Sequence, residues 1–251
     1  MGCLLPERAG VSDRLARVRI VLSHPTHPGN IGATARAMKT MGLTQLVLVN
    51  PKRFPDPQAD ALSSNALDVL GAAKVVGSLD EALAGTVLAV ATVSHTYEMA
   101  PELVTCREAA ARAVHDAASG DVALVFGTEA NGLAVDEVLK CSLLAHIPSN
   151  PDYTSLNLAQ AVQVFAYEIR IAALGDRVPD VDRAALPTFD DMQHLHAHLE
   201  EVLAGIGFFD PENPKKLLPR LRRLIAKARL DQEEVRILRG LLNSVTRVRK
   251  S

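Results

Sequence analysis

The chain has 251 residues, 48% of them hydrophobic, with 27 Lys and Arg against 29 Asp and Glu. That is enough for one large domain with a substantial core plus a small one. No apolar run approaches the roughly 18 residues of a membrane helix, and "MGCLLPERAG" is too short and broken for a signal peptide. Pro6 stands where myristoylation requires Ser or Thr. Cys3, Cys106 and Cys141 form no CxxC, so a reduced, cytoplasmic protein is expected.

The near-neutral balance hides an asymmetry. Pro211 to Ser251 carries twelve Lys and Arg against four Asp and Glu, a local +8, and the remainder is −10. A basic tail on an acidic chain points to a polyanion such as nucleic acid. A solvated helix surface is the alternative.

In chain order, six short runs read as strands: "VRIVL", "QLVLV", "AKVVG", "VLAVAT", "VALVF" and "LLAHI". Amphipathic stretches such as "IGATARAMKTM" and "CREAAARAVHDAA" lie between several of them, predicting βαβ units in a mostly parallel sheet, an α/β fold. The first of these helices is expected to start near Asn30 and stop at Gly42. Leu158 to Ile169 reads as a buried helix, with Thr154 or Ser155 as its N-cap. "GDRVPDVDRAALPTFDD" reads as a linker. Beyond it, "FDDMQHLHAHLEEVLAGIGF" and "KKLLPRLRRLIAKARLDQEEVRILRGLLNSV" have helical periodicity. The boundaries drawn are 1–175 for the main domain, 176–190 for the linker and 191–251 for a basic helical extension.

Parallel sheets bind ligands beyond the carboxyl ends of their strands. Four polar loops fall there: "SHPTHPGNIGATAR", "VSHTYE", "GTEANGL" and "PSNPDYTSLN". No GxGxxG and no Walker pattern opens a helix, which argues against a dinucleotide or NTP fold. His194 and His198 are spaced i, i+4, but no third ligand is evident, so no metal is expected. His24, His27 and Asp56 could be drawn as a triad, yet no nucleophile elbow accompanies them. Arg36, six residues after Asn30, offers a planar fork for phosphate or ribose; a surface salt bridge is its bland alternative.

Together "HPGNIGATARAMKTMGL", "LVFGTEANGL" and "IPSNPDYTSLNLAQAVQVFAYEIR" resemble the three signature motifs of the SPOUT methyltransferases, in order and spacing. Within them the chain is most similar to the TrmJ-type tRNA ribose 2′-O-methyltransferases, from about Arg17 to Val248. The resemblance implies a deep C-terminal trefoil knot, a rare exception to the rule against threading, and a homodimer paired across the knots. It implies S-adenosylmethionine as cofactor, held by Thr92, Val93, Ser94, Gly127, Ile147, Thr154, Ser155 and Leu156. Catalytic positions would be Arg36, Asn30, Glu129, Ser155 and Asn157, with Ser155 and Asn157 orienting Arg36. The substrate implied is tRNA, methylated on an anticodon-loop ribose of the position 32 type. The family treats the equivalent of Arg36 as the base; gripping a phosphate and polarising the hydroxyl is an equal reading.

Three departures stand out. His95 and Tyr97 replace family cations after the fourth strand, and Thr128 replaces the arginine of "FGRE". They leave open another tRNA or rRNA target, or a non-catalytic RNA-binding relative. The basic tail, with Lys215, Lys216, Arg220, Arg222, Arg223, Lys227 and Arg229, would supply RNA affinity. The alternative has Leu217, Leu221, Leu224 and Ile225 simply packing on the main domain.

Overall fold

A computed structural model describes residues 10–94, 101–175 and 185–250. Seven strands are found there: β1 (Val18–Ser23), β2 (Gln45–Val49), β3 (Lys74–Val76), β4 (Thr86–Thr92), β5 (Leu103–Thr105), β6 (Asp121–Phe126) and β7 (Leu143–His146). They form one sheet in the order β3-β2-β1-β6-β4-β7-β5, and every pairing is parallel. Six of the seven match the apolar runs. The seventh, β5, is the run "LVT", which leads straight into the helix capped by Thr105 and carries no separate pattern of its own.

The strands are buried on both faces, as parallel strands covered by helices must be. Ile20, Leu22, Leu46, Leu48, Leu124 and Phe126 point into one core. Their neighbours Val21, Val47, Ala89, Ala91, Ala123 and Val125 point into the other. The large-residue face is covered by α1 (Val11–Leu15), α2 (Pro28–Met41), α4 (Leu67–Gly71), α6 (Cys106–Asp116) and α8 (Leu158–Leu174), with α3 (Pro57–Ser63) packed on α2. The opposite face takes α5 (Leu79–Leu83), α7 (Val135–Lys140) and the start of α9 (Phe189–Gly205). Its alanines leave room for Phe189, which is 8% exposed.

α8 buries Leu158, Val162, Phe165, Ala166 and Ile169, a stripe at helical spacing. Phe165 meets Phe126 edge-on, with ring centroids 5.5 Å apart at 86°. After β6 and α7 the chain returns to lay β7 between β4 and β5, strands consecutive in sequence.

The C-terminal helices α9, α10 (Leu217–Ala228) and α11 (Gln232–Lys250) have a small core of their own, built on Leu195, Ile225 and Val235. Ile225 therefore packs inside the extension, and Leu224 is 66% exposed. The extension is nonetheless fastened to the sheet domain. Asp190 accepts a bond from the Gly85 amide at 3.0 Å, and Arg229 pairs with buried Asp116 at 3.0 Å.

Candidate active site

Four strand ends meet at the carboxyl edge of the sheet. β1 leads through residues 24–27 into α2, and β4 ends at Thr92. β6 runs into Gly127, and β7 runs through residues 147–157 into α8. The starts of these helices depart from the expected caps. α2 begins at Pro28, two residues before Asn30, because Pro fits the first helical position. The cap of α8 is Asn157, whose Oδ1 accepts from the amides of Ala159 and Gln160; Thr154 and Ser155 lie before it and are exposed. At Gly42, φ is 82°, and α2 stops there as expected.

One cleft, of about 1110 Å³ counted out to its solvent mouth, opens among these ends. Its lining contains Thr92, Val93, Ser94, Gly127, Ile147, Thr154, Ser155 and Leu156, and also Glu129. Phe126, Leu133, Leu158, Ala161 and Phe165 supply an apolar floor. Many polar atoms here are backbone or already engaged: Thr92 Oγ1 donates to the Val125 carbonyl at 2.9 Å, and Val93 N to that of Ala145 at 2.9 Å. Gly127 is required by close approach. A Cβ there would meet the carbonyl carbon of Gly132 at 2.0 Å. Residues 128 and 132 close a tight turn through two backbone bonds of 3.0 Å.

A chain of hydrogen bonds links three of the loops. The Glu129 carboxylate accepts from Thr26 N (3.0 Å), Thr26 Oγ1 (2.7 Å), His27 N (3.0 Å) and Asn30 Nδ2 (3.0 Å). Asn30 Oδ1 in turn accepts from Asn157 Nδ2 at 2.9 Å. Burial pushes the Glu129 carboxyl up, but bonds from Asn30, Thr26 and the two amides outweigh it and bring the pKa to about 2. Glu129 is thus a fixed anion at the positive end of α2. Thr26 went unnoticed in the sequence: a lone hydroxyl between strand and helix has no spacing signal.

The candidate catalytic residues fall into two groups. Asn30, Glu129 and Asn157 are joined. Ser155 lines the cleft but makes no hydrogen bond to them. Arg36 is exposed, and among the described residues its guanidinium has no ion pair or hydrogen bond. Six residues advance a helix by about 9 Å and rotate it about 240° past a full turn, so Arg36 leaves the face of Asn30. Asn157 therefore holds Asn30 rather than Arg36. His95 and Tyr97 lie outside the described residues.

The other candidates have ordinary roles. Asp56 caps α3 through the Gln58 amide. His24 Nδ1 lies 2.9 Å from the hydroxyl of Ser23, which is bonded to Glu137. No three-residue metal cluster occurs among the described residues.

Comparison with known proteins follows the same division of the chain. The SpoU rRNA Methylase family description matches residues 17–167, and the tRNA methyltransferase TrmJ C-terminal domain matches residues 190–251. The tRNA (cytidine/uridine-2′-O-)-methyltransferase TrmJ of Yersinia pestis (strain Pestoides F) is 47% identical over 236 residues, covering 92% of each chain. The crystal structure of TrmJ from Z. mobilis ZM4 superposes with a TM-score of 0.80 at 33% identity, over 92% of this chain and all of that one. A structure described as giving insights into the 2-OH methylation of C/U34 on tRNA matches at 26% identity and a TM-score of 0.53, over 64% of this chain and 99% of that one. With its parallel sheet, its cleft at the strand ends and its C-terminal helices, the chain belongs to the SpoU rRNA methylase family, among members that carry a TrmJ C-terminal domain.

Proposed function

We propose that this chain methylates a ribose 2′-hydroxyl in the anticodon loop of tRNA, using S-adenosylmethionine. The observation that carries this reading is the cleft. Eight residues from separate loops, those the motif resemblance assigns to the cofactor, line one cavity, together with the anion Glu129. The relatives named above, tRNA 2′-O-methyltransferases, support the substrate class.

The residues fit such a cofactor. The apolar floor suits a purine, and the backbone groups around Gly127, Ile147 and Leu156 suit its polar edges. When bound, S-adenosylmethionine supplies the methyl group on a sulfonium centre. The chain's part is alignment and proton handling. Glu129, held near pKa 2, is too weak a base to take the proton; it fixes Asn30 and, through it, the start of α8. Arg36 grips phosphate with its planar fork, and its charge polarises the hydroxyl.

We read residues 1–175 as the catalytic unit, 176–190 as the linker and 191–251 as the extension. The entry of β7 between β4 and β5 supports a trefoil knot in this unit. A homodimer is supported by exposed Tyr167 and Ile171 on α8, 50% and 46% accessible. It would bring a second Arg36 into reach of the RNA. A tRNA substrate puts the work in the cytoplasm. The test is two-fold: calorimetry of EDTA-treated protein with S-adenosylmethionine, and 2′-O-methyl mapping of tRNA from cells with and without the protein. Binding and a missing anticodon-loop methyl are expected. Silence at millimolar cofactor, or an unchanged methyl map, would overturn the reading.

A further inference from the structure

A second cavity lies in the seam between the sheet domain and the C-terminal helices, about 1150 Å³ counted out to its mouth. Leu88, Leu143, Phe189, Met192, Ile225 and Leu230 give it apolar walls. Two carboxylates line it, and both are taken. Glu102 is held by Arg112 at 2.7 Å, and Asp116 by Arg229 at 3.0 Å and His115 at 2.8 Å. Lys140 is paired with Asp80 at 3.0 Å.

Three lining cations remain without an ion pair among the described residues: Arg222, Arg223 and Lys227. Among the described residues the Arg222 guanidinium donates only to Gln193 Oε1, at 3.4 Å. Burial lowers its pKa, opposed by the charges of Glu200 and Asp80, neither of which reaches it as an ion pair. Burial, with the charge of Arg222, also brings His196 to about 4, so it stays a neutral donor or acceptor at pH 7. A half-buried guanidinium against apolar walls with no anion opposite is an unfavourable arrangement. A ligand that brings the anion would relieve it.

We propose that this seam binds a nucleotide, with its phosphate on Arg222, Arg223 and Lys227 and its base and ribose against the apolar walls. Phosphate matches the planar fork of arginine, and the apolar walls offer a contact that phosphate alone does not use. The choice of a nucleotide among such anions rests on the RNA-methyltransferase reading. The nucleotide is either a unit of the bound RNA chain or a free mononucleotide.

Calorimetry of the full chain with CMP, cytidine and inorganic phosphate tests this. CMP should bind at least tenfold more tightly than either fragment. Arg222→Gln should weaken CMP at least tenfold. Lys227→Gln, on an exposed side chain that leaves the docking of the helices alone, should weaken it too. If saturating tRNA displaces CMP, the natural occupant is RNA; if CMP binding persists, it is the free nucleotide. No CMP binding at about 10 mM, or binding that neither variant alters, overturns the proposal. Cofactor calorimetry is a separate measurement, so failure of the methyltransferase reading would be seen independently.

Discussion

Arg36 is the residue whose role is most exposed to test. Its guanidinium has no partner among the described residues, so its replacement leaves their packing alone. Arg36→Ala is expected to lower methyl transfer by roughly 10²-fold or more, with S-adenosylmethionine affinity changed less than about twofold. Arg36→Lys should fail as well, because a point charge does not reproduce a planar fork. Activity near that of the parent in a tritium-transfer assay would place the centre elsewhere. Glu129 makes the opposite commitment, to structure as well as chemistry. Its folded pKa of about 2 lies below the ordinary 4.5. The stability it contributes is therefore complete above about pH 4.5 and is lost as pH falls towards 2. Glu129→Gln should lower Tm at pH 7 and differ less and less from the parent between pH 4.5 and 2. A constant gap in Tm across that window would contradict the assignment. Thr26, with hydroxyl and amide both on Glu129, shares this role.

Among the elements, α8 shows how one side chain serves fold and site together. Asn157 caps the helix through Oδ1 and holds Asn30 through Nδ2. The two uses can be separated. Asn157→Ala loses both, and the cap alone is worth about 1 kcal/mol. Asn157→Asp keeps the cap but sets a carboxylate against Asn30 Oδ1. It should leave Tm within about 2 °C of the parent while kcat falls at least tenfold. Equal losses of stability in the two variants would overturn this separation, since the bond to Asn30 is what both of them lose. The same separation explains the error in reading the sequence here. Thr154 and Ser155 are acceptable caps by type, but they precede the turn that enters the helix, and Asn157 alone sits where its oxygen reaches the second and third amides. In α2, Asn30 was read as a cap by type; its amide is engaged instead by Glu129, a residue 99 positions away.

At the scale of the whole molecule, the extension is joined to the catalytic unit by more than a tether. Phe189 is in the sheet core, and Arg229 reaches Asp116. Truncation near Ala185 should therefore lower Tm by several degrees. Cofactor affinity should hold within a few-fold, because no cleft-lining residue lies beyond Phe165. tRNA affinity should fall. Of the basic residues in the tail, Arg229 serves the domain contact, whereas Lys215, Arg220 and Arg239 are exposed. Neutralising these three should flatten the log–log salt dependence of tRNA binding by roughly 0.7 to 0.9 per lost phosphate contact. An unchanged slope in filter binding would assign the tail's charge to solvation.

Read alone, the sequence determined the parallel α/β class, six strands, the terminus of α2 at Gly42 and the residues around one cleft. Apolar runs, helical periodicity and motif order are local signals, and they survive without knowledge of long-range contacts. Only the tertiary structure decided which polar residues act together. Glu129 lies 103 positions from Thr26 and 99 from Asn30, and Asn157 lies 127 from Asn30; a carboxylate chooses its donors by distance and direction, which no spacing encodes. The same holds for the seam. That Arg229 meets a carboxylate while Arg222, among the described residues, pairs with none follows from where the end of α10 meets the end of α6, and residue type alone is silent on it.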